Sequence, residues 1–180
     1  MTIVTPLVIE AVAIAEVRDW LRLETTVEDG LIEGLVHAAM LLGEAYIGQL
    51  LVARPVTERI PAAPQWQRLR HRPVQSVGSV ATVSAAGVVS ALGSDDYGVD
   101  IDPAGDGWVR RAAGSADGYR LEVGYVAGLA TGWATIPEPL KQGVIRLAAH
   151  GYTHRDDGND DGPPAAVTAL WRPWRRIGVR

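Results

Sequence analysis

His150 and His154 stand four residues apart, a spacing that can turn both imidazoles to one side of a helix and hold zinc. A catalytic site of that kind carries Glu after the first His, where this chain has Gly151. A third ligand would have to come from the acidic run Asp156 to Asp161. The plainer reading, and the preferred one, is a helix end with two histidines beside its negative dipole terminus. A metal-dependent enzyme using His150, His154 and the nearby aspartates is the enzymatic alternative. Asp157, Asn159, Asp161 and Gly162 open like a calcium loop, D-x-N-x-D-G, but position twelve is Thr168 where a bidentate Glu is needed. Pro163 and Pro164 fill the next two places after Gly162, so an acidic, solvated loop is expected. Asp95, Asp96, Asp100 and Asp102 are dense enough for paired-carboxylate chemistry. Asp95-Asp96 and Asp102-Pro103 nevertheless read as turns, and no matching cleft residues accompany them.

Other chemistry is missing. There is no phosphate-binding glycine loop of the G-x-x-x-x-G-K or G-x-G-x-x-G type and no G-x-S-x-G elbow. The absence of cysteine excludes thiol nucleophiles, disulfides and Cys-ligated zinc. Neither catalysis nor a cofactor is expected. The end of the chain is different: Leu170, Trp171, Arg172, Pro173, Trp174, Arg175, Arg176 and Arg180 form an apolar and basic segment without an acid. Trp and Arg are the types most enriched at binding hot spots. A frayed basic terminus is the alternative, but two free tryptophans would expose much apolar area, so docking is preferred. Arg and stacking Trp also suit single-stranded nucleic acid, as a secondary reading.

These residues must be positioned by a simple series of elements. Residues 1 to 12 read as an extended arm. A short helix over Ala13 to Leu23 puts Ile14, Val17 and Leu21 on one face. Thr26 is the expected N-cap of the longest helix, which carries a stripe of Leu31, Leu35, Ala38, Leu42 and Ala45, widened by Ile32, Ala39 and Tyr46, and stops at Gly48. Gly34 and Gly43 inside it each cost about 1 kcal/mol against Ala. From Val52 to Val126 the composition turns to Val, Thr, Ser and Gly with frequent turn signals. Strands are expected over Val52 to Ile60 (an edge, from Pro55), Ser76 to Ser84, Val88 to Ala91, Tyr97 to Ile101, Trp108 to Arg111 and Tyr119 to Val126. In the last of these, Tyr119, Leu121, Val123 and Tyr125 alternate with polar positions or glycine, as in an antiparallel sheet with one wet side. Pro137 and Pro139 open a helix running to about His154, with Leu140, Val144, Leu147 and Gly151 on one face. Pro163 or Pro164 starts a final helix ending near Trp171. The fold class is α+β: a small helical bundle with a β-rich excursion inserted between its second and third helices.

Composition bounds the function. A chain of 180 residues fits one domain, divided here into a helical pair (13–48), a β-rich insertion (52–126), C-terminal helices (137–171) and a docking tail (172–180). The formal net charge of −4 argues against a protein that grips nucleic acid over its whole surface. Of 17 basic residues only Lys141 is lysine, which either GC-rich coding or an interface role explains. Phe is absent while Trp occurs six times, and Trp108, Trp133, Trp171 and Trp174 fall in loop-like or terminal sequence where contact surfaces are expected. No basic leader precedes an apolar run, and no apolar run approaches ~20 residues, so neither a signal peptide nor a membrane partner is expected.

Several segments, taken in order, resemble the head–tail connector (adaptor) proteins of long-tailed phages and their relatives in gene transfer agents. They are Ile14 to Leu23, Glu28 to Glu33 with Tyr46-Ile47-Gly48, Arg72 to Val77, Asp96-Tyr97, Val123 to Gly128, Ile136 to Ile145, Tyr152 with Arg155, and Val167 to Arg176. The resemblance spans most of residues 13 to 176 and implies structural work in a particle neck, on a protein made in the bacterial cytoplasm. It implies a ring of identical copies, dodecameric in most members, that sits beneath the portal, extends the DNA channel and receives stopper or tail proteins. The segment Leu170 to Arg180 would then reach the portal, and Trp171 and Trp174 are the first residues in it to mutate. DNA would pass without sequence-specific binding, consistent with an acidic subunit that does not hold phosphates. Another neck or tail protein, such as a stopper or tail terminator, is the alternative. It would be more β-rich and would lack the two-helix N-terminal block.

Overall fold

A computed structural model describes residues 1–112, 120–154 and 162–176. Within these residues the elements run β1 (Thr2–Val4), α1 (Ala11–Trp20), α2 (Asp29–Ile47), β2 (Arg54–Pro61), β3 (Gln67–Arg68), β4 (Val74–Val83), β5 (Val89–Ala91), β6 (Tyr97–Ile101), β7 (Gly107–Arg111), β8 (Arg120–Ala127), α3 (Glu138–Thr153) and α4 (Ala165–Trp171). The α+β class and the β excursion between the second and third helices are as the sequence implies. The chain divides into two compact units, Met1–Pro6 with Ala53–Leu129, and Leu7–Val52 with Ala130–Arg180.

The first unit is built on β8, whose Leu121, Val123, Tyr125 and Ala127 are buried while the residues between them are more open. That alternation places β8 at the centre of a five-stranded antiparallel sheet ordered β1-β2-β8-β4-β5. A second sheet, β3-β7-β6, carries Val109 inward. Pro55 does not mark an edge: β2 lies between β1 and β8. Its missing N–H is harmless because β1 pairs only as far as Val56, and Thr5 N donates to the Pro55 carbonyl just beyond. A buried polar knot crosses the sheet. Tyr125 Oη donates to Glu58 Oε2 at 2.8 Å, which also accepts Arg70 N at 3.0 Å, while His71 N donates to Tyr125 Oη at 3.2 Å. Burial, reinforced by the Glu58 carboxylate, raises the Tyr125 phenol above its ordinary value.

The second unit packs α1, α2, α3 and α4. Its core includes Val17, Ile32, Val36, Ile47, Leu140, Val144, Trp133 and Trp171. Trp133 and Trp171 are therefore core residues rather than surface contacts. Prediction and structure differ on α2. The buried stripe is Ile32, Val36, Ala39, Met40, Gly43 and Ile47, whereas Leu31, Ala38, Leu42 and Ala45 face outward. Because two faces of this helix are apolar, periodicity alone could not choose the inward one. Thr26 does not cap it either. Thr26 lies in the preceding turn, where its carbonyl accepts Asp29 N, and the cap position is Glu28. Arg18 braces the start of α2 through a two-pronged ion pair with Asp29, and Tyr152 of α3 donates a hydrogen bond to Glu28. Helix α1 begins two residues earlier than expected and buries Ala13 and Val17.

Candidate functional site

The C-terminal segment is held in place by two glycines and a helix end. Trp171 closes α4 and is 1% exposed. Its indole lies against Gly143 of α3 and Gly43 of α2: a Cβ on Gly143 would overlap Nε1, and one on Gly43 would come within 3.3 Å of Cζ2. The indole Nε1 donates to the Leu140 carbonyl at 3.2 Å, and the Tyr46 ring lies 6.0 Å away. Gly43 is thus explained by the aromatic side chain packed against it. Gly34 faces open space, and a methyl group there would meet no atom within 4 Å.

Beyond Trp171 the chain makes a short turn of 3-10 helix, Arg172–Trp174, and runs to the C-terminal end of α2. Arg176 N donates to the Ile47 carbonyl at 2.8 Å, and Gln49 Nε2 donates to the Trp174 carbonyl at 2.7 Å. Gly48 has φ +70°, and a Cβ there would lie 2.8 Å from the Arg176 carbonyl oxygen. Glycine is therefore required for both the left-handed cap and the seating of the tail. The Arg175 guanidinium lies 5.4 Å from the Tyr46 ring centre. Arg172, Pro173, Arg175 and Arg176 are exposed, and Leu170 and Trp174 are half-buried. The segment consequently presents a basic surface at the negative end of the α2 dipole, on a backbone pinned from beneath. Trp171 holds that surface from inside its own unit. Arg180 lies outside the described residues.

The other candidate groups are not assembled for chemistry among the described residues. The His150 and His154 rings stack 4.1 Å apart, with His154 Nδ1 placed 2.8 Å from Thr153 Oγ1 and 3.1 Å from the His150 carbonyl. No group of three His, Asp or Glu side chains suited to a metal occurs among the described residues. The run Asp156 to Asp161 lies outside them, as do Asp157 and Asn159 of the calcium-like sequence. Thr168 sits in α4, where its hydroxyl donates to the Ala165 carbonyl. The aspartates of the β unit build turns. Asp102 accepts Ala104 N, Asp106 N and Trp108 Nε1, and Asp96 accepts Gly93 N. Asp95 and Asp100 are exposed.

No protein-family model matches the chain, and no curated protein matches it. Solved structures do. A chain of the neck of an empty gene transfer agent particle, computed with C6 symmetry, superposes with a TM-score of 0.80 at 28% identity, covering 100% of this chain and 97% of that one. A chain from the virion of a native gene transfer agent particle gives a TM-score of 0.78 at 28% identity over the same shares. A chain of the native particle neck, computed with C12 symmetry, gives 0.76 at 26% identity over 99% and 97%. The likeness runs over whole chains in both directions and includes the helical pair, the β excursion and the C-terminal helices. It supports a structural, non-enzymatic protein of a gene transfer agent particle neck.

Proposed function

We propose that this chain is the head–tail connector (adaptor) of its particle, forming a ring under the portal that extends the DNA channel and joins the head to stopper or tail proteins. The observation that carries the reading is full-length similarity to chains from necks computed with sixfold and twelvefold symmetry. Repeated heterologous contacts around an axis close into such a ring, which gives each subunit two different flanks. The two-helix N-terminal block favours the connector over a stopper or tail terminator. The pinned basic segment Leu170 to Arg176 is the proposed portal contact, with Arg180 continuing it. Its exposed arginines make the contact and Trp171 fixes their backbone. DNA passes through without base-specific contacts.

The experiment is imaging of the particle neck with this chain labelled, alongside Arg172→Glu, Arg175→Glu, Arg176→Glu in combination. The label is expected in the layer directly beneath the portal, and the triple variant is expected to fold normally while losing attachment to purified portal. A label in a distal tail layer would overturn the connector reading. Full portal binding by the triple variant would remove the tail from it.

A further inference from the structure

The outward face of α2 has an unusual composition for a helix that packs on one side only. Such helices turn charged and polar residues to water, as α3 and its cap do with Glu138, Arg146, Thr153 and His154. On α2, Leu31, Leu41 and Leu42 are 44%, 43% and 50% exposed. Between them on the same side lie Gly34, Ala38 and Ala45, all exposed. At 100° per residue these six positions fall within one sector of roughly 120°, and no charged or hydrogen-bonding side chain interrupts it. From Leu31 to Ala45 the stripe is about 21 Å long at 1.5 Å per residue. Its N-terminal half borders an open groove lined by Leu7, Val8 and Ile9 on one side and by Gly30, Glu33, Gly34 and His37 on the other.

We infer that this face seats a second copy of the chain. The inference rests on the ring proposed above, which gives every subunit a neighbour on each flank. A face without charge asks for an apolar partner, and its small residues let a neighbouring backbone come close. For the reciprocal flank the same unit exposes a mixed surface on α1, where Val12 and Trp20 are 45% and 49% exposed with Glu16 between them and the Arg146 guanidinium 5.6 Å from the Trp20 ring centre. A heterologous contact needs two such dissimilar patches. A bilayer is the competing occupant, since α2 is long and apolar enough to cross one. Its opposite side, however, is committed to the unit's core through Ile32, Val36 and Ile47, and buried Glu44 accepts Leu51 N. No Lys or Arg lies between Arg22 and Arg54 to meet lipid headgroups.

The test places a photoreactive benzoylphenylalanine in the full chain at Leu31 or Leu42, and separately at Thr153 or His154, exposed at the C-terminal end of α3. Each variant is co-produced as a minor fraction with wild-type chain, so that particles assemble, and purified particles are irradiated. Products at multiples of the 19.2 kDa chain are expected from the α2 positions, in large excess over those from α3. Self-crosslinks from α3 alone would overturn the assignment of the face and leave the ring standing. Self-crosslinks from no position would overturn the ring and this inference together. Crosslinks from Leu42 only to a different protein, or to lipid, would overturn the second-copy occupant.

Discussion

The same substitution should have opposite effects at two glycines of the helical unit. At Gly143 a methyl group would overlap Trp171 Nε1 and lie 2.6 Å from Cε2. The indole cannot easily yield, because Leu140, Gly43 and Tyr46 hold it from other sides. Overpacking of this kind costs up to about 3 kcal/mol, against about 1 kcal/mol gained by replacing helical Gly with Ala. Gly143→Ala should therefore destabilise by about 2 kcal/mol. Gly34 meets nothing within 4 Å, so Gly34→Ala keeps the whole gain of about 1 kcal/mol. For a chain of this size each kcal/mol moves the melting temperature by roughly 2–4 °C. Thermal unfolding followed at the helical far-UV band should show a fall of roughly 4–8 °C for Gly143→Ala and a rise of roughly 2–4 °C for Gly34→Ala. Trp171→Leu should cost stability alone but couple favourably with Gly143→Ala, because the clash is then gone. A neutral or stabilising Gly143→Ala, or strict additivity with Trp171→Leu, would refute the packing argument.

Gly48→Ala should cost about 1–2 kcal/mol through its left-handed backbone, and should speed hydrogen exchange at the Arg176 amide, which is bonded to Ile47; unchanged exchange there would show that the cap does not hold the tail. Tyr125→Phe should cost about 1–3 kcal/mol by leaving His71 N without its phenol acceptor and removing a donor to Glu58, as denaturant titration at neutral pH would show. The Tyr125 phenol stays protonated in the fold above its ordinary value of 10.0. Its contribution is therefore complete below pH 10 and is lost as pH rises beyond that, because the unfolded chain releases the proton first. The alkaline fall in stability should be shallower in Tyr125→Phe than in the wild type.

Much of the fold can be read from local patterns. Leu121, Val123 and Tyr125 alternate strictly, so the central strand is legible. Pro137 with Pro139 and the Gly48 cap mark helix ends because each acts through its own backbone. What local patterns miss depends on partners distant in sequence. Pro55 reads as an edge residue until β1, supplied by residues 2–4, covers β2 and stops one residue short of it. Trp133 and Trp171 read as surface contacts from their loop-like and terminal neighbours. Only the meeting of Gly43, Gly143 and Trp171, residues far apart in the chain, shows an indole-shaped slot in the core.

The misassigned face of α2 is the most useful of these differences. Its inner residues, Ile32 and Val36, and its outer ones, Leu31 and Leu42, are equally apolar, so the hydrophobic period cannot distinguish inside from outside. A helix with apolar residues on two opposite faces expects cover on both, even with a polar strip such as Glu33 and His37 between them. One unit of this chain buries only one side of α2, and the remaining side stays in water unless another copy covers it. The ambiguity in the sequence thus carries physical information: on the inference drawn above, the stripe that periodicity first selects as core is a second core, completed between subunits rather than within one.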